Sequence, residues 1–312
     1  MADFLLLFPG QGSQKPGMAK DLVDAFPAAR DVWDAADATL GAALSKTAFE
    51  GPAEELTLTH NAQPALLTHG AAVWSVTKAA LGPRVRAAAG HSLGEFTAFH
   101  AAGALALADA VRLVRRRGEL MFESGTSRPG AMAAILGDLS RSIEDICIEA
   151  GSAGAVVPAN YNSLEQTVVS GEVAGVERAM ELAKAAGAKR AIRLNVSGAF
   201  HSPLMASAAA GLEQALSAAA WREPTWPVFS NVTADPVRSA ADARALLLKQ
   251  LTSPVRWVDV IRSMAAAYPS ATFLEMGPGS VLTGLLKRLA PNHPARTCGT
   301  AAEVESLLTE VA

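Results

Sequence analysis

Cysteine is nearly missing from this chain: Cys147 and Cys298 are the only two in 312 residues, with no Cys-x-x-Cys pair and no histidine cluster beside them. A disulfide framework and a zinc site are therefore not expected, and a reducing cytoplasm is the expected compartment. Both thiols read as small buried hydrophobes. Long apolar runs are missing too, since none reaches the ~20 residues that span a bilayer. The first apolar run, Phe4 to Phe8, has five residues and no basic segment before it. It reads as a buried strand and not as a signal peptide. Charge is scarce, at 18% of residues with a formal net of −3, which argues against a nucleic-acid binder as a whole. No internal repeat or low-complexity linker is visible. What remains is half apolar and long enough for a large core, as one big domain or two smaller ones.

The run Phe4-Leu5-Leu6-Leu7-Phe8, stopped by Pro9-Gly10, predicts a strand buried on both faces, as in a parallel sheet. Residues 85–89 predict a second strand, followed by a turn and a long helical pattern from about Leu93. Val228 to Ser230 and Thr272 to Glu275 predict two more, the latter running through Gly277-Pro278-Gly279 into a helix over 280–289. Short strands whose glycine loops open helices imply an open α/β sheet. The middle differs. Strands over 131–136, 155–159, 166–170 and 189–196 alternate with helices over 140–151, capped by Ser140, and 172–186. The order β-α-β-β-α-β is ferredoxin-like. The expected architecture is a large α/β domain formed by 1–127 and 197–312, with a ferredoxin-like small domain, 128–196, inserted.

Gly90-His91-Ser92-Leu93-Gly94 has the spacing of a nucleophile elbow, in the required order of strand, turn and helix. Chance alone yields such a pentapeptide on the order of 0.1 times in a chain of this composition. The competing reading makes Ser92 a helix cap. A serine nucleophile needs a base. His91 adjoins the serine but points away at a sharp turn. His60, His69 and His100 lie in apolar helical stretches, and His293, between prolines, is expected at the surface. His201 lies in the loop 197–203 just after a strand, where catalytic groups are commonly presented. Arg117 follows Arg115 and Arg116, yet shares its helical face with Leu113, Val114, Leu120 and Met121. A buried guanidinium requires either an internal carboxylate or a bound anion, and its planar fork suits a carboxylate. The Gln11 amide, in the glycine-flanked loop after the first strand, and the amide of Leu93 could form a two-donor oxyanion hole. Taken alone, that loop could equally be an ordinary turn.

Together these segments resemble the malonyl-CoA:acyl carrier protein transacylases, acyltransferases of fatty-acid and polyketide synthesis. The resemblance runs in order through nearly the whole chain: Phe8 to Gln14, Gln63-Pro64-Ala65, Gly90 to Glu95, Arg117 with Met121, Asn160 to Ser163, Gly198 to Ser202 and Glu275 to Gly279. It implies an α/β-hydrolase-like large domain with a short parallel sheet, and an inserted ferredoxin-like one. It implies Ser92 as nucleophile, His201 as base, Arg117 as the clamp on the malonyl carboxylate, and the Gln11 and Leu93 amides as oxyanion hole. The main-chain carbonyl of Gln250 would orient His201, and because the position acts through its main chain, side-chain identity there says little. Phe200 would favour malonyl over methylmalonyl units. The implied partners are malonyl-CoA and an acidic acyl carrier protein, with no metal or resident cofactor, in a cytoplasmic monomer. Arg115/Arg116, Lys189/Arg190/Arg193 and Lys287/Arg288 are candidate docking cations. A serine thioesterase or esterase would use the same elbow, with an acid from among Asp109, Asp138 and Asp145. A carrier-binding module without catalysis is the other alternative.

Overall fold

The computed structural model describes residues 3–311. Strands β1 (Phe4–Phe8), β2 (Val85–Gly90), β7 (Val228–Phe229), β8 (Pro236–Val237), β9 (Thr272–Glu275) and β10 (Ala295–Thr297) form one sheet in the order β10-β9-β1-β2-β7-β8. All neighbours are parallel except β7 and β8. Every residue of β1 is buried, because helices cover both faces, and this explains its uninterrupted apolar run. Phe8 aligns with Gly90, and Leu7 with both Ala89 and Glu275. The loops after β1, β2 and β9 consequently emerge side by side at the carboxyl edge, the usual place for a ligand crevice in such sheets.

Strands β3 (Gly130–Leu136), β4 (Val156–Ser163), β5 (Gln166–Glu172) and β6 (Arg190–Arg193) form a separate antiparallel sheet in the order β4-β5-β3-β6. Its two helices, Ile143–Ala150 and Val173–Ala185, enclose a core of its own that includes Ile135, Ile146, Val169 and Val176. β4 ties this sheet to the larger body, as Tyr161 N–H donates to Val255 O and Val255 N–H to Ala159 O. Irregular register in β4 between Pro158 and Asn160 and between Tyr161 and Ser163 re-aims its side chains. Asn160 and Asn162 both reach the groove between the two sheets. No helix among the described residues is long and apolar enough to cross a membrane.

Several elements depart from the sequence expectation. The helical pattern after Leu93 is two helices, Gly94–Ala101 and Leu107–Ser127, because the chain turns at Gly103 with φ 77°. Ser142, not Ser140, caps its helix by accepting from Asp145 N–H, while Ser140 Oγ donates to Ala186 O. β4 runs on to Ser163, and β6 stops at Arg193, where the chain leaves the sheet edge. His293 is half-buried, its ring 5.6 Å from that of Phe273. Both cysteines are free and buried, with burial pushing each thiol up to about 12.

Candidate active site

The elbow is built by close backbone approach. A Cβ on Gly94 would lie 2.1 Å from Phe8 O, so only glycine lets the helix start against β1. Ser92 takes φ 52°, a left-handed conformation costing roughly 1 kcal/mol for a residue with a Cβ. It does not cap the helix, whose first residue is Gly94 and which has no side-chain cap. Its hydroxyl lies 2.7 Å from His201 Nε2 and accepts from Arg117 Nη2 at 3.1 Å.

His201 also sits in the left-handed region, at φ 57°. Ser202 Oγ holds the turn by donating to Ala199 O. The helix carrying Arg117 packs directly on this loop, since a Cβ on Gly125 would lie 2.0 Å from Ser197 O. His201 Nδ1 faces the main-chain oxygens of Gln250 at 2.9 Å and Ser253 at 3.2 Å. Nδ1–H must therefore be the donor, which leaves Nε2 unprotonated toward the serine. Among the described residues no carboxylate bonds the ring. Burial first, and then the charge of Arg117, hold its pKa down to about 3, partly offset by the two carbonyls. The imidazole is thus neutral and able to accept a proton throughout the neutral range.

Arg117 is 1% exposed on the apolar face of its helix, as its spacing predicts. Arg115 and Arg116 on the same helix instead pair with Glu119 near the surface. Among the described residues no carboxylate lies within ion-pair distance of Arg117. Nη1 donates to Gln63 Oε1 at 2.8 Å and Nη2 to Gln250 Oε1 at 3.1 Å, while Nε is buried with no partner among the described residues. Burial lowers its pKa to about 10, with the attraction of Glu95 opposing. The guanidinium is therefore a cation held by neutral acceptors at the wall of a cavity of about 310 Å³, lined also by Ser92, Met132, Phe200 and His201.

The amides of Gln11 and Leu93 form no hydrogen bond among the described residues, whereas the next two amides along the elbow, of Gly94 and Glu95, are taken by His91 O and Ser92 O. Gln11 Nε2 donates to Thr59 Oγ1, holding the first loop beside the cavity. His91 points away from Ser92 Oγ, its Nε2 2.8 Å from Asn162 Oδ1. An adjoining groove of about 700 Å³ runs between the two sheets and is lined in part by Asn160, Asn162, Lys189, Arg190 and Arg288.

Sequence reasoning missed two groups and the side chain of a third. Asn231 accepts from Ser92 N–H at 2.7 Å, and Gln63 holds Arg117; the Gln63 motif was visible, but nothing local marked Asn231. The Gln250 side chain, for which the sequence offered no role, touches Arg117, Glu95 and Ser92 O.

Comparison with known proteins agrees over the whole chain. The model for the acyl transferase domain matches residues 5–305. A malonyl CoA-acyl carrier protein transacylase of Bacillus subtilis is 49% identical over 290 residues, covering 93% of this chain and 91% of that protein. One of the same description from Salmonella typhimurium is 41% identical over 310 residues, covering 99% and 100%. The solved acyl-carrier-protein-S-malonyltransferase of Bartonella henselae superposes with a TM-score of 0.94 at 41% identity, covering 99% of both chains. A malonyl-transacylase solved in complex with its type II PKS acyl-carrier protein gives 0.94 at 40% identity, covering 99% of this chain and 100% of that one. With the family model matching residues 5–305 and relatives of 41–49% identity covering nearly all of it, this chain belongs to the acyl transferase domain family, alongside the malonyl CoA-acyl carrier protein transacylases.

Proposed function

We propose that this enzyme transfers the malonyl group of malonyl-CoA to the phosphopantetheine thiol of an acyl carrier protein through an ester on Ser92. The observation that carries the reading is Arg117: a buried cation without a carboxylate, one donor of which sits 3.1 Å from the Ser92 hydroxyl. A malonyl carboxylate placed there would give the guanidinium its missing counter-ion and hold the thioester carbonyl over Ser92.

His201 Nε2 takes the Ser92 proton as Oγ attacks the thioester carbon. The oxyanion is received by the free amides of Gln11 and Leu93. Collapse expels the CoA thiolate, which His201 protonates. The carrier's thiol then repeats the steps in reverse, giving ping-pong kinetics. The carboxylate also neutralises Arg117, removing the second cause that depresses His201, so the base strengthens when the right acyl group is bound. Acetyl leaves the buried cation unpaired and is disfavoured. Phe200, buried at the same wall, narrows the space beside the acyl α-carbon.

The scheme calls on no resident cofactor or metal, and the working unit we propose is a cytoplasmic monomer. Lys189, Arg190 and Arg288 along the groove suit the phosphates of CoA and the acidic face of a carrier. The strand order supports the finer fold reading. β6-β3-β5-β4 is the ferredoxin-like arrangement, inserted at 128–196 into an α/β-hydrolase-like body formed by 1–127 and 197–312. A thioesterase would lack any use for Arg117 and would place an acid on His201 Nδ1, where only carbonyls stand.

Intact mass spectrometry after mixing with malonyl-CoA tests the scheme. A malonyl adduct is expected, absent in Ser92→Ala and discharged by holo-carrier protein but only slowly by water. Rapid release to water without transfer to a carrier would favour the thioesterase instead. Carriers from fatty-acid and polyketide systems, run in parallel, assign the pathway.

A further inference from the structure

Behind the serine and histidine lies a layer of buried polar groups, most of whose contacts the transfer scheme leaves unused. Glu95, Asn231 and Gln250 are each 0% exposed. Asn231 comes from the loop after β7, Gln250 from the end of the Ala240–Gln250 helix, and Glu95 from the first turn of the helix that follows Ser92.

We infer that Glu95 and Asn231 are positioning residues for Ser92: Glu95 is a fixed acceptor for the backbone N–H of Asn231 and the side-chain amide of Gln250, and so aims both side chains at the two main-chain groups of the nucleophile. This rests on Ser92 being the nucleophile. Glu95 Oε2 accepts from Asn231 N–H at 3.1 Å and from Gln250 Nε2 at 2.7 Å. Asn231 Oδ1 accepts from Ser92 N–H at 2.7 Å, while its Nδ2 donates to Gly90 O at 2.8 Å. Gln250 Nε2 donates to Ser92 O at 3.0 Å. Its two hydrogens are then committed, and the 3.4 Å approach to Asn231 Oδ1 is only a contact.

Neither amide can be turned around. Asn231 faces a backbone donor with Oδ1 and a backbone acceptor with Nδ2. Gln250 faces Arg117 with Oε1 and a carboxyl group and a carbonyl with Nε2. The strained φ of Ser92 needs such support, since a left-handed residue relaxes unless its surroundings over-determine it. Two side-chain amides grip the main-chain groups of Ser92, and one carboxyl group holds the Gln250 amide and the backbone N–H of Asn231.

The alternative role for this layer is to hold Arg117, which Gln250 also touches. Two reagents separate the roles: malonyl-CoA, and an uncharged alkyl fluorophosphonate that attacks the same hydroxyl but carries nothing for Arg117. In Asn231→Ala, single-turnover rates with both reagents should fall about 10- to 100-fold, as expected for a misaimed reacting group, with the KM for malonyl-CoA within about threefold of wild type. Glu95→Ala should lose both rates in the same way. Glu95→Gln, which keeps an acceptor oxygen for both donors, should restore them to within about threefold of wild type. Wild-type rates in Asn231→Ala, or a defect confined to malonyl-CoA, would overturn the assignment. Should Asn231→Ala not fold, equal rates in the Ala and Gln variants of Glu95 would overturn it. A wild-type enzyme that forms no malonyl adduct sinks the transferase reading instead, and the phosphonate rates still decide the positioning.

Discussion

The catalytic centre and the small antiparallel sheet are built on opposite rules. The small sheet hides apolar side chains such as Val169 and Val176 and leaves its ion pairs, Arg141–Glu149 and Arg178–Glu181, in solvent. The centre buries Glu95, Arg117, His201, Asn231 and Gln250 within one connected network and places both Ser92 and His201 at positive φ. One region follows the ordinary rule of burying apolar groups and solvating charge. The other departs from it, because a strained serine, a buried imidazole and a buried guanidinium are all costly to hold away from water.

The comparison breaks first, if it is wrong, at Arg117. Arg117→Ala should lower kcat/KM for malonyl-CoA by about 10²–10³ and raise acetyl use, while leaving the fold intact. An acyl-CoA panel reads this, and retained malonyl preference would remove the clamp. On the same panel Phe200→Ser should admit methylmalonyl-CoA by roughly tenfold, the worth of one methyl in a pocket. Unchanged selectivity would free Phe200 of that role.

The next effect is on stability and carries a pH sign. Burial raises the Glu95 pKa from 4.5 to about 7, only partly opposed by Gln250, Asn231 and Arg117. The folded chain thus takes up this proton before the unfolded chain does. Stability from Glu95 is full below 4.5 and is lost as the pH rises through 7. Urea unfolding of wild type and Glu95→Gln should therefore show the variant gaining on the order of 1–3 kcal/mol relative to wild type between pH 5 and pH 8. A pH-independent difference would mean that the carboxyl group is not burdened by its site.

The smallest expected effect sharpens the contrast from the other side. Val169→Ala in the small sheet should cost about 2 kcal/mol of unfolding free energy and leave the rate of Ser92 acylation per folded molecule unchanged. A large rate loss there would mean that the two regions are coupled.

Much of the site could be read in the chain itself. The unbroken Phe4–Phe8 run signalled a strand covered on both faces, and Arg117 announced itself by sitting on the apolar stripe of its helix. Ser92 and His201 stood in loops at strand ends, where sequence spacing is informative. The network behind them had no such signal. Asn231 lies 139 residues from Ser92, after a strand of only two residues, and no periodicity marks it. The main-chain role expected of Gln250 matches the contact to His201, but its side chain acquired a purpose only from three partners distant in sequence.

By itself, then, the sequence determined which elements form and which faces they bury, because local periodicity and glycine placement act over a few residues. It also singled out Ser92, His201 and Arg117, which the structure brings together. Tertiary structure alone decided that Arg117 would have no carboxylate of its own among the described residues, that carbonyls would face His201 Nδ1, and that Asn231 and Gln250, both held by Glu95, would grip the strained serine. Those outcomes depend on where distant loops meet at the carboxyl edge of the sheet, and hydrogen-bond partners a hundred residues apart leave no trace in local pattern.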